Sequence, residues 1–458
     1  MPPLKQQAKS TLCHRNRKHH VLIFMVAFFT VWLFVSLWVL YGHSSWKESI
    51  SLSSTTTTRS TTKTTEETVD WNAEGAPPVI GIHEIVTVTS EEDHHHQQQQ
   101  QQQQRSTEIV YAIAKNHHHH HQVLLQVALL LHGCSHSALK FFSPSSSCST
   151  CIGLSEELHI ARILLQEPSI AAVIAVTSQD RTSGCWSPQK DSPHVVDALQ
   201  HVIAKLQQQQ QQHDYNHQQQ SASSSSTTPL LVKVWAFGAS SGGRFAAQLA
   251  IHGIVDAAMV GVMNLGTDLV RKWNNMPTSQ RPPIYLAPMP RDQRTLKGNQ
   301  QDYANMMTTN QQQQQNNQNH NAGDASARVI LDTETCTSFP VSARYLHQRV
   351  PHMTLDMAMN IVSQLQNHQH LDSVTNMLLQ DPTQSDWRNV LLTTCGGAVD
   401  TNNNNNQGGG CLQNQVLEPG ISPLAKALHR AWAFHEYCSE VTLPALHYFQ
   451  QQQQIIVD

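Results

Sequence analysis

The sequence predicts an α/β fold built on a mostly parallel sheet, and three observations predict it. Apolar runs of strand length alternate with segments whose apolar residues recur at helical spacing. Several runs, such as Val123–Gly133 (VLLQVALLLHG), are almost continuously apolar, the texture of strands covered by helices on both faces. The first two runs follow one another without a helical segment between them, which predicts an antiparallel pair ahead of the parallel units.

In chain order, Val79–Val88 and Glu108–Lys115 are the antiparallel pair and Val123–Gly133 is the first buried strand. A helix over Ser155–Gln166, a strand over Ala171–Ser178, a helix over His194–Leu206, a strand over Leu230–Ser240 and a helix over Gly242–Ile254 follow. Strands over Ala257–Leu265, Pro283–Met289 and Arg328–Asp332 complete the set, and alternation at this pace builds βαβ units. In Pro340–Trp387, Leu346, Met353, Leu355, Met357, Ile361, Val362 and Leu365 recur at roughly helical spacing, which predicts a helical cap or sheet-flanking layer. Met and Leu stripes of this kind are core packing, so no site is assigned there. Glu440–Phe449 is expected to be the closing helix.

Composition tempers the length. Only 14% of the 458 residues are charged, and Gln, His, Ser, Thr and Asn come in homopolymer runs. With the tracts, the N-terminal segments and the tail set aside, roughly 290 residues remain for one large core. The tracts at 93–107, 116–122, 207–228, 299–327 and 401–410 fall between the predicted elements and are expected to be disordered loop insertions, since closure entropy grows only with the logarithm of loop length. A formal charge of −4 without a basic patch beyond residue 20 argues against nucleic acid as the main partner.

Val21–Tyr41 is an uncharged run of 21 residues, long enough to span a bilayer as a helix. Lys5, Lys9, Arg15, Arg17 and Lys18 precede it, whereas Gly42–Thr61 carries only Lys47, Glu48 and Arg59, so the positive-inside rule leaves the N-terminus in the cytosol. The organisation that follows is a cytosolic basic tail (1–20), a transmembrane signal anchor (21–41), a Ser/Thr-rich stem (42–76), one globular domain (77–449) and a polar tail (450–458). The chain is then a single-pass type II membrane protein with a lumenal or extracellular domain, or a secreted one if the segment is a cleaved signal. Of nine cysteines, eight lie beyond the segment, a number that suits an oxidising compartment. Cys148 and Cys151 form a CxxC, half a zinc site at best, so a local disulfide or free thiols are expected. The His runs at 94–96 and 117–121 are low-complexity tracts, and neither a metal centre nor a cofactor is expected.

Gly238-Ala239-Ser240-Ser241-Gly242-Gly243 stands directly between an apolar strand and a helical pattern. A G-x-S-x-G there holds its serine on a strained strand-to-helix turn, where the small flanking residues Gly238, Gly242 and Gly243 avoid clash. Together with His132-Gly133-Cys134-Ser135-His136 and the segment Cys148–Glu157 (CSTCIGLSEE), it resembles the α/β-hydrolase superfamily, and more closely a branch found in photosynthetic eukaryotes. The resemblance covers about 77–449 and implies an α/β-hydrolase sheet with antiparallel first strands.

It also implies that Ser240 is the nucleophile and that the backbone N–H groups of Cys134 and Ser241 form the oxyanion hole. His132 is expected to be a structural loop histidine bonding backbone. The triad acid should follow a late strand, which favours Asp292 over its rivals Asp332 and Asp356. The general base should lie near the last helix. His435, in Ala431-Trp432-Ala433-Phe434-His435-Glu436, is favoured over His429 and His447, which are expected on helix surfaces. Two function classes follow. The first is a membrane-anchored serine hydrolase acting on an ester, thioester or amide of a small molecule, lipid or peptide. The second is a hydrolase-fold binding or adhesion module without catalysis.

Overall fold

The computed structural model describes residues 79–89, 104–114, 124–218, 231–316, 328–351, 353–395 and 422–457, all within one compact unit. The predicted basic tail, membrane segment and stem lie outside the described residues, as do the His runs at 94–96 and 117–121. Among the described residues no helix is long and apolar enough to cross a membrane.

Eight strands form one sheet: β1 (Ile82–Thr89), β2 (Gln104–Ile113), β3 (Leu124–Leu131), β4 (Ile170–Val176), β5 (Leu231–Ala239), β6 (Ala257–Gly261), β7 (Ile284–Ala287) and β8 (Val329–Leu331). Their spatial order is β1-β2-β4-β3-β5-β6-β7-β8. β1 pairs antiparallel with β2, and β2 with β4, while β3 to β8 run parallel. The architecture is therefore a mostly parallel α/β sheet, and β5 lies near its middle. The carboxyl ends of β3, β5 and β7 emerge on one side, where ligand sites of parallel sheets form.

Connections between parallel strands are helical: α1 (Ser155–Gln166), α2 (Pro188–Gln218), α3 (Ser241–Ile251), α4 (Thr267–Asn275) and α5 (Gln293–Asn316). Along β3 the side chains alternate between two cores, with Val127, Leu129 and Leu131 in one and Ala128 and Leu130 in the other. This period of two explains why β3 is apolar throughout. After β8 come α6 (Ala343–Arg349), α7 (Leu355–Asn367), α8 (Trp387–Cys395) and α9 (Pro423–Trp432), which bury Leu346, Ile361, Leu365, Trp387 and Leu428 in a third core of their own. This is the helical cap. The chain closes with α10 (Thr442–Val457).

Four expectations need correction. The tract at 93–107 does not end as a loop, because β2 begins at Gln104 and Thr107 is buried. The tract at 207–228 does not begin as a loop, because α2 continues through Gln207–Gln218. The tract from Asn299 begins as packed helix: Asn299 is fully buried, Met306 belongs to the core, and Asp302 accepts hydrogen bonds from the backbone N–H groups of Leu265 (2.8 Å) and Gly266 (3.0 Å). The polar tail also is helix, running to Val457, with Gln450 donating to Ser169. Gln ranks close to Leu in helix propensity and no Pro or Gly interrupts these runs, so a packed helix extends into them. α4 was not predicted, although Leu269, Val270 and Trp273 recur at helical spacing and form its buried face.

Candidate active site

Sequence places a small-residue turn between β5 and α3, and its backbone is strained at one position only. Ser240 has φ 53° and ψ −126°, a region that a non-glycine residue enters only when its surroundings hold it there. Its N–H donates to Gly261 O (2.8 Å) and its carbonyl accepts from Arg244 N–H (3.2 Å), which ties both sides of the strained residue. A Cβ on Gly238 would stand 2.3 Å from Gly242 O, and one on Gly242 would stand 2.3 Å from Leu131 O. The glycines therefore let α3 start directly against β3 and β5. Ser241, one residue on, opens α3, and its buried Oγ has no hydrogen-bond partner.

Ser240 Oγ lies 3.2 Å from His435 Nε2, and His435 Nδ1 lies 2.7 Å from Asp292 Oδ2. A carboxylate only accepts, so Nδ1 carries the proton and Nε2 presents its lone pair to the serine hydroxyl. Asp292 follows β7 and is buried; Thr295 donates to it through its N–H (3.1 Å) and its hydroxyl (2.5 Å). Burial raises the carboxyl, but the bonds from His435 and Thr295 outweigh it and hold the group below its usual range. The chain reaches His435 only after the whole cap, which is why no strand immediately precedes it. Ala433 (φ 59°) ends α9 in the left-handed region and turns the chain back toward the sheet.

The rivals lie elsewhere. Asp332 accepts from Tyr285 (2.6 Å) and from the N–H groups of Glu334 and Thr335, and Asp356 is exposed in the first turn of α7. His447 is exposed as expected, but His429 is half-buried with Nδ1 3.8 Å from Glu436.

The loop after β3 passes directly beside Ser240, since a Cβ on Gly133 would sit 3.5 Å from Ser240 Cβ. His132, fully buried, donates from Nδ1 to Gly133 O (2.7 Å), while its Nε2 accepts from Ser178 N–H (3.1 Å). Burial lowers it to about 3, so it stays neutral. Fixing Gly133 O on one side of its trans peptide fixes the Cys134 N–H on the other. Cys134 is further pinned by a disulfide to Cys185, 51 residues away. A second disulfide joins Cys336 to Cys438, three residues after His435, and a third closes the CxxC as Cys148–Cys151. The two long-range pairings had no sequence signal, because they join residues that only the fold brings together.

Glu156 and Glu157, which end the CSTCIGLSEE segment, had no role assigned from the sequence; both are fully buried at the start of α1. Glu157 Oε1 meets His136 Nδ1 (2.7 Å) in the β3 loop. Glu156 accepts from Ser439 N–H (3.0 Å) and hydroxyl (2.7 Å) in the His435 loop, and from Arg349 (2.8 Å) in the cap. Arg349 and Arg430 both bind Glu440 (2.9 Å each). Adjacent carboxylates on one helical turn thus hold the two loops that flank Ser240. Paired acids in a first turn are common on surfaces, so only their burial reveals the role. No group of three or more His, Cys, Asp or Glu among the described residues could hold a metal ion.

No family model matches the chain, and no curated protein matches it in sequence. Its structure is similar to several solved ones. A Bacillus cereus carboxylesterase is 14% identical, with 56% of this chain and 91% of that chain covered and a TM-score of 0.24. A dienelactone hydrolase from Anabaena variabilis is 14% identical over 63% and 98%, at TM-score 0.28. A fungal esterase from Rhizomucor miehei is 11% identical over 63% and 83%, at TM-score 0.29.

Proposed function

We propose that the protein is a serine hydrolase of the α/β-hydrolase kind, tethered by Val21–Tyr41 with its domain lumenal or extracellular, acting on an ester, thioester or amide through an acyl-enzyme. The observation that carries this reading is the hydrogen-bonded series Asp292–His435–Ser240, with the serine on a strained strand-to-helix turn. Ser240 Oγ attacks the carbonyl carbon as His435 Nε2 takes its proton. Asp292 holds the imidazole tautomer and stabilises the imidazolium. The N–H groups of Cys134 and Ser241 donate to the oxyanion. His435 then returns the proton to the leaving group, and water releases the acyl group by the same steps in reverse.

Labelling with a fluorophosphonate tests the reading. Wild type is expected to be labelled, Ser240→Ala to lose labelling and esterase activity by at least about 10³-fold, and Ser241→Ala, which keeps the backbone N–H, to retain a measurable part of both. A folded wild type that is never labelled would favour the binding-module reading.

A further inference from the structure

The loops that deliver the acid and the base are bridged by a second contact. Arg291 directly precedes Asp292, and its guanidinium carbon lies 3.4 Å from the ring centre of Trp432, three residues before His435. Trp432 ends α9 and packs on the cap core, so the pair joins the cap to the two loops that carry Asp292 and His435. Arg291 is exposed, and no carboxylate among the described residues pairs with it. The neighbouring acids are committed: Asp292 to His435 and Thr295, and Glu436 to Lys426 (3.0 Å) and to the Tyr437 N–H (3.0 Å). Phe434, next to His435 in sequence, is 40% exposed.

A guanidinium lying over an indole keeps its N–H donors, which point outward in its own plane. Stacking also removes much of the freedom that the side chain would otherwise lose on binding an anion. We infer that Arg291, stacked on Trp432, is an anion-recognising subsite, and that the substrate is an ester carrying a carboxylate near its scissile bond. The inference rests on the proposal that Ser240 is the nucleophile.

Two matched ester pairs test it with the full-length protein. Mono-p-nitrophenyl glutarate and p-nitrophenyl valerate differ by a terminal carboxylate against a methyl on the acyl side, and 3-carboxyphenyl acetate and 3-methylphenyl acetate differ likewise on the alcohol side. A charge-assisted contact predicts that kcat/KM in one pair favours the carboxylate by about tenfold or more. Arg291→Gln, its fold checked by phosphonate labelling, is expected to bring that ratio close to one. Absence of preference in both pairs overturns the subsite, and so does a preference that survives Arg291→Gln. Equal losses on both members of the pair would make the contact a clamp between the two loops and also overturn it. Failure of the hydrolase reading looks different: no ester is turned over and Ser240 is never labelled. The subsite is then decided by calorimetric titration of Ser240→Ala with 3-hydroxybenzoate, where binding abolished by Arg291→Gln supports it and no binding overturns it.

Discussion

Ser240 and Ser241 carry the same hydroxyl, and only backbone geometry separates them. The positive φ falls on Ser240, and the glycines two before and two after it are those whose Cβ would strike backbone oxygen at 2.3 Å. Glycine spacing records steric need directly, which is why the turn was legible in the sequence. Order along the chain pointed to Asp292 and His435, and the fold brings both to Ser240, whereas the partners of Cys185, Glu156 and Glu157 were not legible, because tertiary contact sets them. His132 gives a pH prediction. Its folded value is about 3 against 6.5 for the ordinary group, so between these pH values the unfolded chain binds a proton that the folded chain does not. Stability is therefore full above about pH 6.5 and falls by ~1.4 kcal/mol per pH unit below it from this group alone. Urea unfolding of His132→Asn, which keeps a donor for Gly133 O, should show a slope shallower by about that amount between pH 6.5 and 4; parallel slopes would refute it.

At the scale of elements, α1 is the organiser. Its first turn reaches the β3 loop through Glu157 and the His435 loop and cap through Glu156, and two disulfides fix the same loops covalently. Burial raises the Glu156 carboxyl, and Arg349 and Arg430 oppose that shift. Glu156→Gln leaves those guanidiniums undercompensated in a buried setting, so a loss of about 3 kcal/mol is expected by urea unfolding. A loss below about 1 kcal/mol would mean that Glu440 alone suffices for both arginines. Strand and helix periods gave away most elements, from the exact match over Ser155–Gln166 to the antiparallel first pair. The polar tracts misled because composition argues for loops, while Asn299 and Asp302 show that helix packing outlasts the apolar pattern by more than a turn.

For the whole molecule, one sheet carries a core on each face and the cap holds a third, interrupting the path from β8 to His435. The cap was visible as an apolar stripe, but its junction with the His435 loop depends on the turn at Ala433, which no periodicity signals. The proposed topology, with the domain across the membrane from the cytosol, rests on the asymmetry of five cations before Val21 against two in the twenty residues after Tyr41. Protease added to sealed, cytosol-out vesicles should leave the domain intact until detergent is present. Complete digestion without detergent would reverse the topology.

In the proposed acyl-enzyme reaction Ser240 forms the covalent bond. Trypsin should release the elbow as Val234–Arg244, bounded by Lys233 and Arg244. After reaction with a fluorophosphonate, fragmentation of this peptide by mass spectrometry is expected to place one phosphonyl group on Ser240. A phosphonyl group on Ser241, or on a peptide other than this one, would contradict the account.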